Sequence, residues 1–375
     1  MKFVLYTNSV SAHQLPLARV LARRIGEDSF RYVYTGVSQN GFQDIPETEP
    51  WIARQDACGE CSEWLENCET LLCGVRDLDL MERRADKGLK TFYMSERWLK
   101  PILFERGFLR FKLPGVIKLL HPGYLRMVAR MTRLLSRSNQ VVYLPIGKWA
   151  EQDMSFLYAL TRMGRRICSS SLLLWGYFVE PSSWSSARLT DLRAGQREEV
   201  VSNSRPLKVL WVGRLMALKN VDTIIRAIWR VNRFGTRALL TIVGDGSESV
   251  ALKRLVSRLK MGDCVSFAPP VSLDGVRELM RENDLYVFAS NGFDGWGAVV
   301  SEALAEQMPV LASRECGAGR TLLPEECTFA CRDDQKLAAL VSRFETLPRM
   351  TLNGWTVDDA VARLEAKIVT GSEAC

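Results

Sequence analysis

Asp294 and Glu302 stand eight positions apart, the first in a glycine-bearing stretch and the second in a helical pattern. Eight residues is about two helical turns, so both carboxylates can face one ligand. Their segment reads FASNGFDGWGAVVSEALAEQMPVLAS, Phe288 to Ser313. It predicts a strand ending near Ser290, a loop holding Gly292, Gly295 and Gly297, and a helix under way by Val299. Glycines let backbone N–H groups approach an anion closely, and a helix start adds its dipole. A capping aspartate and an exposed helical glutamate would leave the same pattern.

A second segment, KVLWVGRLMALKN, supplies cations. Its strand ends at Val212, Gly213 permits a tight turn, and Arg214 and Lys219 follow on the loop before a helix. Two cations at a helix start suit phosphate groups, although two solvated surface charges fit this segment equally well. A third segment, LLTIVGDG from Leu239 to Gly246, is a strand running into turn residues and says little alone. In the first half, His13 and Glu96 each follow an expected strand, at the edge where such sheets bind ligands. His13 could donate to a phosphate or hydroxyl, and Glu96 could orient an acceptor hydroxyl or pair with Arg97. No residue stands out as a nucleophile flanked by an acid and a base.

The elements that must position these groups alternate short apolar runs with helical patterns, the signature of a parallel α/β sheet. Strands are expected at 2–6, 31–34, 70–74, 91–94 and 141–145, with a helix from near His13 through ARVLARR. After Pro206 the alternation is cleaner. Strands are expected at 209–212, 239–243, 265–267, 285–289 and 310–312, and helices at 221–231, 249–259, 273–282, 299–306 and 335–344. The polar, Ser- and Arg-rich stretch near 182–204 reads as a connection. The expected layout is an α/β pair of Rossmann-like, doubly wound domains facing a cleft: 1–190, a linker at 191–205, and 206–350. A C-terminal helical segment at 351–375 is expected to pack back on the first domain.

The 375 residues are 47% hydrophobic and 25% charged, enough for two cores at roughly 150 residues per domain. No run approaches the ~18 apolar residues of a membrane span. The N-terminal apolar run is too short for a signal peptide, so a cytoplasmic location is expected. Cys58, Cys61, Cys68 and Cys73 match no common zinc spacing and the chain has 2 histidines, so no metal site is expected and the thiols read as small buried hydrophobes. The net charge is +7, but 8 basic residues and 1 acid fall between Glu105 and Arg137. Arg126, Arg130, Arg133 and Arg137 follow helical spacing, while Met127, Val128, Met131, Leu134 and Leu135 line another face. A basic amphipathic helix suits docking on an anionic membrane surface; a helix packed on its own domain with a solvated basic face has the same pattern.

Taken together, Gly213-Arg214-Leu215 with Lys219, Gly244-Asp245-Gly246, Asp294 through Glu302, and Pro309-Val310-Leu311-Ala312 resemble, in order and spacing, the retaining glycosyltransferases of family 4, which have the GT-B fold. The resemblance implies roles by position. Gly213 would turn the chain so that Arg214 and Lys219 hold a donor diphosphate. Backbone amides of Gly295, Trp296, Gly297 and Ala298 would cradle the distal phosphate. Glu302 would bind ribose hydroxyls, Asp294 would contact the transferred sugar, and Pro270 and Val271 would lie against the base. Three positions depart from the family pattern: Asp294 stands for Glu, and Asn220 and Gln307 stand for Gly.

Further pieces, His13-Gln14-Leu15-Pro16-Leu17, Ser95-Glu96-Arg97-Trp98 and Trp175-Gly176-Tyr177-Phe178, resemble a subset of bacterial capsule, O-antigen and exopolysaccharide transferases. The implied activity is retaining transfer of a hexose from a UDP- or GDP-linked donor to a glycan or lipid-linked glycan. Asp294, His13 and Glu96 would sit nearest the chemistry. The resemblance implies no cofactor beyond the nucleotide sugar, no required metal, no nucleic acid, and a peripheral place on the inner face of the cell membrane. A nucleotide-sugar 2-epimerase of similar fold and a catalytically silent sugar-nucleotide-binding scaffold are the competing expectations.

Overall fold

The computed structural model describes residues 1–370 except 12, 37–48, 100–101, 106–107, 112–116, 118, 181–204, 349–350 and 353. The chain divides into two compact units: Met1–Leu99 with Lys112–Val179 and Gly354–Cys375, and Lys100–Phe111 with Glu180–Asn353. Both Lys100–Phe111 and the C-terminal stretch therefore fall in the unit that sequence order alone would not give them. The expected linker, 191–205, lies almost wholly outside the described residues.

In the first unit the order is β1 (Phe3–Thr7), α1 (Leu15–Ile25), β2 (Phe30–Tyr34), β3 (Ile52–Arg54), α2 (Cys61–Asn67), β4 (Thr70–Cys73), α3 (Leu78–Asp86) and β5 (Lys90–Ser95). The hairpin β6 (Ile102–Glu105) and β7 (Phe108–Phe111) intervenes, and α4 (Pro122–Arg137), β8 (Val141–Pro145) and α5 (Lys148–Thr161) follow. Six parallel strands stack as β3-β2-β1-β4-β5-β8. β1, β4 and β8 are buried along their whole length, as strands covered on both faces must be.

The helix α4 buries Val128, Met131, Leu134 and Leu135, the apolar stripe its spacing predicts. Its arginines divide. Arg130 bonds Glu82 (2.7 Å) and Asp79 (2.5 Å) at α3, and Arg137 lies 3.8 Å from Asp86. Arg126 and Arg133 are exposed. Three acids of α3 thus face two of the four, although Arg137, like Arg126 and Arg133, is exposed. Arg84, also from α3, is fully buried; it donates to the carbonyls of Leu65 (2.8 Å), Cys68 (3.0 Å) and Lys90 (2.9 Å), and to the thiol of Cys68. Cys61, Cys68 and Cys73 are core residues.

The second unit runs β9 (Leu207–Val212), α6 (Val221–Arg233), β10 (Ala238–Val243), α7 (Ser249–Arg258), β11 (Val265–Ala268), α8 (Leu273–Glu282) and β12 (Leu285–Phe288). It continues with α9 (Ala298–Ala305), β13 (Val310–Ser313), α10 (Gly317–Leu322), β14 (Thr328–Phe329) and α11 (Asp334–Val341). Its six parallel strands stack as β11-β10-β9-β12-β13-β14. Each sheet thus has the doubly wound 3-2-1-4-5-6 order, with a topological switch point beside its first strand. The last helix, α12 (Val357–Thr370), packs on α1. Arg24 reaches Asp358 (2.9 Å) and Glu365 (3.4 Å), and Trp355 stacks on Phe178.

Candidate donor site at the switch point of the second sheet

The switch point lies between β9 and β12, and the cations and acids singled out in the sequence leave the carboxyl ends of those two strands. Past β9, the Gly213 N–H bonds the Val243 carbonyl at 3.0 Å and the Leu215 N–H bonds the Asp245 carbonyl at 2.8 Å. A Cβ at Gly244 would strike the Gly213 carbonyl, and one at Gly246 the Leu215 carbonyl. Both glycines have positive φ, +134° and +154°, which side chains rarely adopt. The Gly-Asp-Gly turn therefore locks the loop that carries Arg214 and Lys219 against the next strand end.

Lys219 closes a short 3-10 turn, and Asn220 follows with φ +47°. That explains why a residue type tolerant of left-handed backbone occupies this position. Gln307 takes the same left-handed backbone, φ +57°. Asn220 is buried, and its amide donates to the Ala289 carbonyl at 3.0 Å. The Asn291 N–H bonds the Leu218 carbonyl at 2.9 Å. The loop after β9 is thereby pinned to the loop after β12. The result is one ion pair: the Lys219 ammonium lies 2.8 Å from both Asp294 carboxylate oxygens and 5.2 Å from the Phe288 ring centroid. Both side chains are mostly buried, 14% and 15% exposed.

Beyond Asp294, Gly295 and Gly297 take φ +74° and +82°. A Cβ on Gly297 would come within 2.7 Å of the Phe288 ring. The loop is braced from behind by α10, whose Gly317 and Ala318 N–H groups bond the carbonyls of Gly295 and Trp296, each at 2.8 Å. The Trp296 ring is fully buried and donates to the Ser301 hydroxyl at 2.9 Å. Its side chain is an anchor, so only its backbone can meet a ligand. At Ala298 the helix α9 begins; first-turn amides have no acceptor inside their helix, and the positive end of the dipole lies there. Glu302 stands in the next turn. Burial pushes its carboxyl above the ordinary value, opposed by the charge of Arg277. Arg214 is exposed on its loop, and Pro270 and Val271 are exposed ahead of the Ser272 cap of α8.

In the first unit, His13 stacks on Tyr177 at 5.6 Å between ring centroids. Burial lowers the His13 pKa. Burial raises the Tyr177 hydroxyl, and the nearby Glu96 charge raises it further. His13, Tyr177 and Glu96 thus share one locale at the ends of β1 and β5. Arg97 makes a two-pronged pair with Asp153 (3.1 and 3.0 Å), both nearly buried, and the Leu99 N–H also bonds Asp153. The Arg97 charge is therefore answered by α5, which makes the Ser95–Trp98 segment a rigid platform. Sequence reasoning does not find Asp153, and it meets Tyr177 only within the Trp175-Gly176-Tyr177-Phe178 motif, with no role of its own. Their contacts span 56 residues for Asp153–Arg97 and depend on the fold.

Residues 193–353 match the family described as glycosyl transferases group 1. A curated relative is the GDP-mannose-dependent alpha-(1-6)-phosphatidylinositol monomannoside mannosyltransferase of Mycolicibacterium smegmatis, 31% identical over 139 residues. That alignment covers 36% of each chain, so this protein spans about a third of the length of the curated relatives it matches. Among solved structures, the lipopolysaccharide outer core galactosyltransferase WaaB superposes with TM-score 0.65 at 14% identity, covering 99% of both chains. Anabaena HepE in complex with UDP superposes with TM-score 0.64 at 13% identity, covering 99% of this chain and 100% of that one. The fold is the GT-B fold expected from the sequence: two Rossmann-like α/β domains, the second carrying a group 1 glycosyltransferase match.

Proposed function

We propose that the chain is a retaining hexosyltransferase that takes its sugar from a nucleoside-diphosphate donor and delivers it to a glycan or lipid-linked glycan in cell-surface polysaccharide synthesis, working peripherally at the cytoplasmic face of an anionic membrane. The observation that carries the reading is the Lys219–Asp294 pair at the switch point of the second sheet, beside the glycine loop that opens α9. A cation, a glycine loop and a helix start lie together there, a combination suited to phosphate, with a carboxylate against the cation.

In this reading Arg214 and Lys219 hold the diphosphate and stabilise its charge as it leaves, which is where preorganised donors contribute most. The bond between the anomeric carbon and the phosphate oxygen breaks, and the acceptor oxygen bonds the same face of the sugar. The acceptor proton passes to the departing phosphate. Asp294 contacts the sugar hydroxyls, Glu302 the ribose, and Pro270 and Val271 the base. His13 and Glu96 bind the acceptor. Because two protein cations answer the diphosphate, the reading requires no metal.

The test is nucleotide release from UDP- and GDP-sugars with and without oligosaccharide or lipid-linked acceptor, with product NMR. Acceptor-dependent release and a product of the donor's anomeric configuration are expected. Acceptor-independent turnover with a changed sugar configuration would point to an epimerase, and nucleotide binding without turnover to a silent scaffold.

A further inference from the structure

Large apolar side chains are exposed in the first unit where a self-contained domain would bury them. On α5 and just beyond it, Phe156, Leu160 and Met163 are 59%, 68% and 97% exposed. Phe156 and Leu160, four residues apart, share one stripe flanking the face that buries Ala150, Asp153, Met154, Leu157 and Tyr158; Met163 follows the helix end with a left-handed backbone, φ +53°. Leu125, on the neighbouring α4, is 50% exposed. The two helices are clamped together: the Thr161 hydroxyl bonds the Thr132 hydroxyl at 2.8 Å, and the Arg162 guanidinium bonds the Ala129 carbonyl at 3.3 Å. This seats the exit of α5 against the middle of α4, so the apolar stripe borders the outer surface of α4, where Arg126 and Arg133 are exposed.

The exposed charge near the stripe is mainly positive: of the two acids on α5, Asp153 is buried against Arg97 and Glu151 lies in the first turn. The helix α4 holds 4 arginines and no acid, and residues 154–179 hold 3 arginines and no acid. Arg165 and Arg166, directly after Met163, are exposed. The acids that answer Arg130 and Arg137 lie on α3, at the far side of α4 from α5. An apolar stripe bordered mainly by exposed cations is the chemistry of an interface between acyl chains and anionic headgroups. An exposed apolar patch of this kind marks an interaction surface.

We infer that Phe156, Leu160 and Met163 insert into an anionic bilayer while Arg126 and Arg133 rest on its headgroups. The inserting element is thus α5, and the arginines of α4 supply attraction rather than anchorage. This deepens the membrane part of the proposed function and is independent of the transfer chemistry.

The test compares the full chain with Phe156→Ser/Leu160→Ser/Met163→Ser and with Arg126→Gln/Arg133→Gln in sedimentation with phosphatidylcholine vesicles, with and without phosphatidylglycerol. Melting and nucleotide affinity serve as controls for folding. Wild type should bind the anionic vesicles, and part of that binding should survive salt that screens surface charge. The serine variant should lose at least about tenfold in partitioning, including the salt-resistant part. The glutamine variant should lose only the preference for anionic lipid. Phe156→Trp should gain fluorescence that brominated acyl chains quench. Wild type that ignores anionic vesicles would overturn both the membrane reading and this inference. Binding that survives the serine substitutions, or fluorescence of the Phe156→Trp variant that brominated lipid leaves untouched, would overturn the insertion alone. So would a dimer in solution that the serine variant dissolves, because the stripe would then be covered by a second copy.

Discussion

The Lys219–Asp294 pair makes two substitutions act in opposite directions on nucleotide affinity. The Lys219 ammonium is held by both Asp294 carboxylate oxygens at 2.8 Å. A diphosphate arriving at Lys219 must therefore compete with Asp294 for the same cation and accept a like charge beside it. Two unit charges 4 Å apart interact by about 1 kcal/mol in water and about 4 kcal/mol near a protein surface. With side chains 14% and 15% exposed, the pair lies between these limits. Removing the carboxylate charge by Asp294→Asn should therefore strengthen nucleoside-diphosphate binding by about 1.4 kcal/mol, or tenfold. The same change should lower kcat if Asp294 contacts the reacting sugar as proposed. Lys219→Ala removes the cation itself and should weaken binding and cut kcat/KM by about 100-fold, as loss of one preorganised donor does. Titration calorimetry with UDP and GDP, paired with steady-state kinetics, reads both effects. Asp294→Asn that binds nucleotide more weakly than wild type, or Lys219→Ala that binds it normally, would refute the assignment of these two residues to one phosphate site.

Further outcomes follow from the same geometry. Glu302→Gln should mainly raise donor KM and spare kcat, since the ribose is unchanged in the reaction. Burial raises the Glu302 carboxyl, so its contribution to stability is present below the ordinary carboxyl range and lost as pH rises through the raised value. Donor KM should fall over that rise, and Glu302→Gln should flatten the profile. For His13 burial lowers the pKa from 6.5, so its contribution is present above 6.5 and lost as pH falls through the lowered value; melting followed against pH in wild type and His13→Gln checks this. Arg84→Ala should cost about 3 kcal/mol or more, because three buried carbonyls lose their donor, and a melting curve that does not move would contradict that. If Arg214 and Lys219 answer the diphosphate charge as proposed, activity should persist in EDTA; loss of turnover restored by a divalent ion would contradict it.

What could be read in advance and what could not follows a physical division. The strands leading to the site were legible because parallel strands buried on both faces are continuous apolar runs. The expected 141–145 is β8, and expected 265–267 differs from β11 by one residue. The strands β3 and β14 were missed: they have 3 and 2 residues and sit at sheet edges. The helix of residues 78–86 was missed too, and with it the acids that answer Arg130 and Arg137. Spacing within α4 shows which arginines share a face but not what faces them from 48 to 51 residues away.

The two apparent departures from the glycine pattern show the same division at a finer scale. As letters, Asn220 and Gln307 look like lost glycines; in space they keep the glycine's left-handed backbone, φ +47° and +57°. A left-handed conformation costs roughly 1–2 kcal/mol in a residue with a Cβ, so each position must be held by something else. For Asn220 that holder is visible. Its amide donates to the Ala289 carbonyl, and its carbonyl oxygen accepts from the Arg332 guanidinium at 3.2 Å. The side chain that replaces the glycine thus ties the Lys219 loop to the end of β12, where Asp294 begins its approach. A glycine there would keep the backbone and lose the tie, and an alanine would lose both. The backbone pattern belongs to the fold, whereas the bond that secures it belongs to this chain.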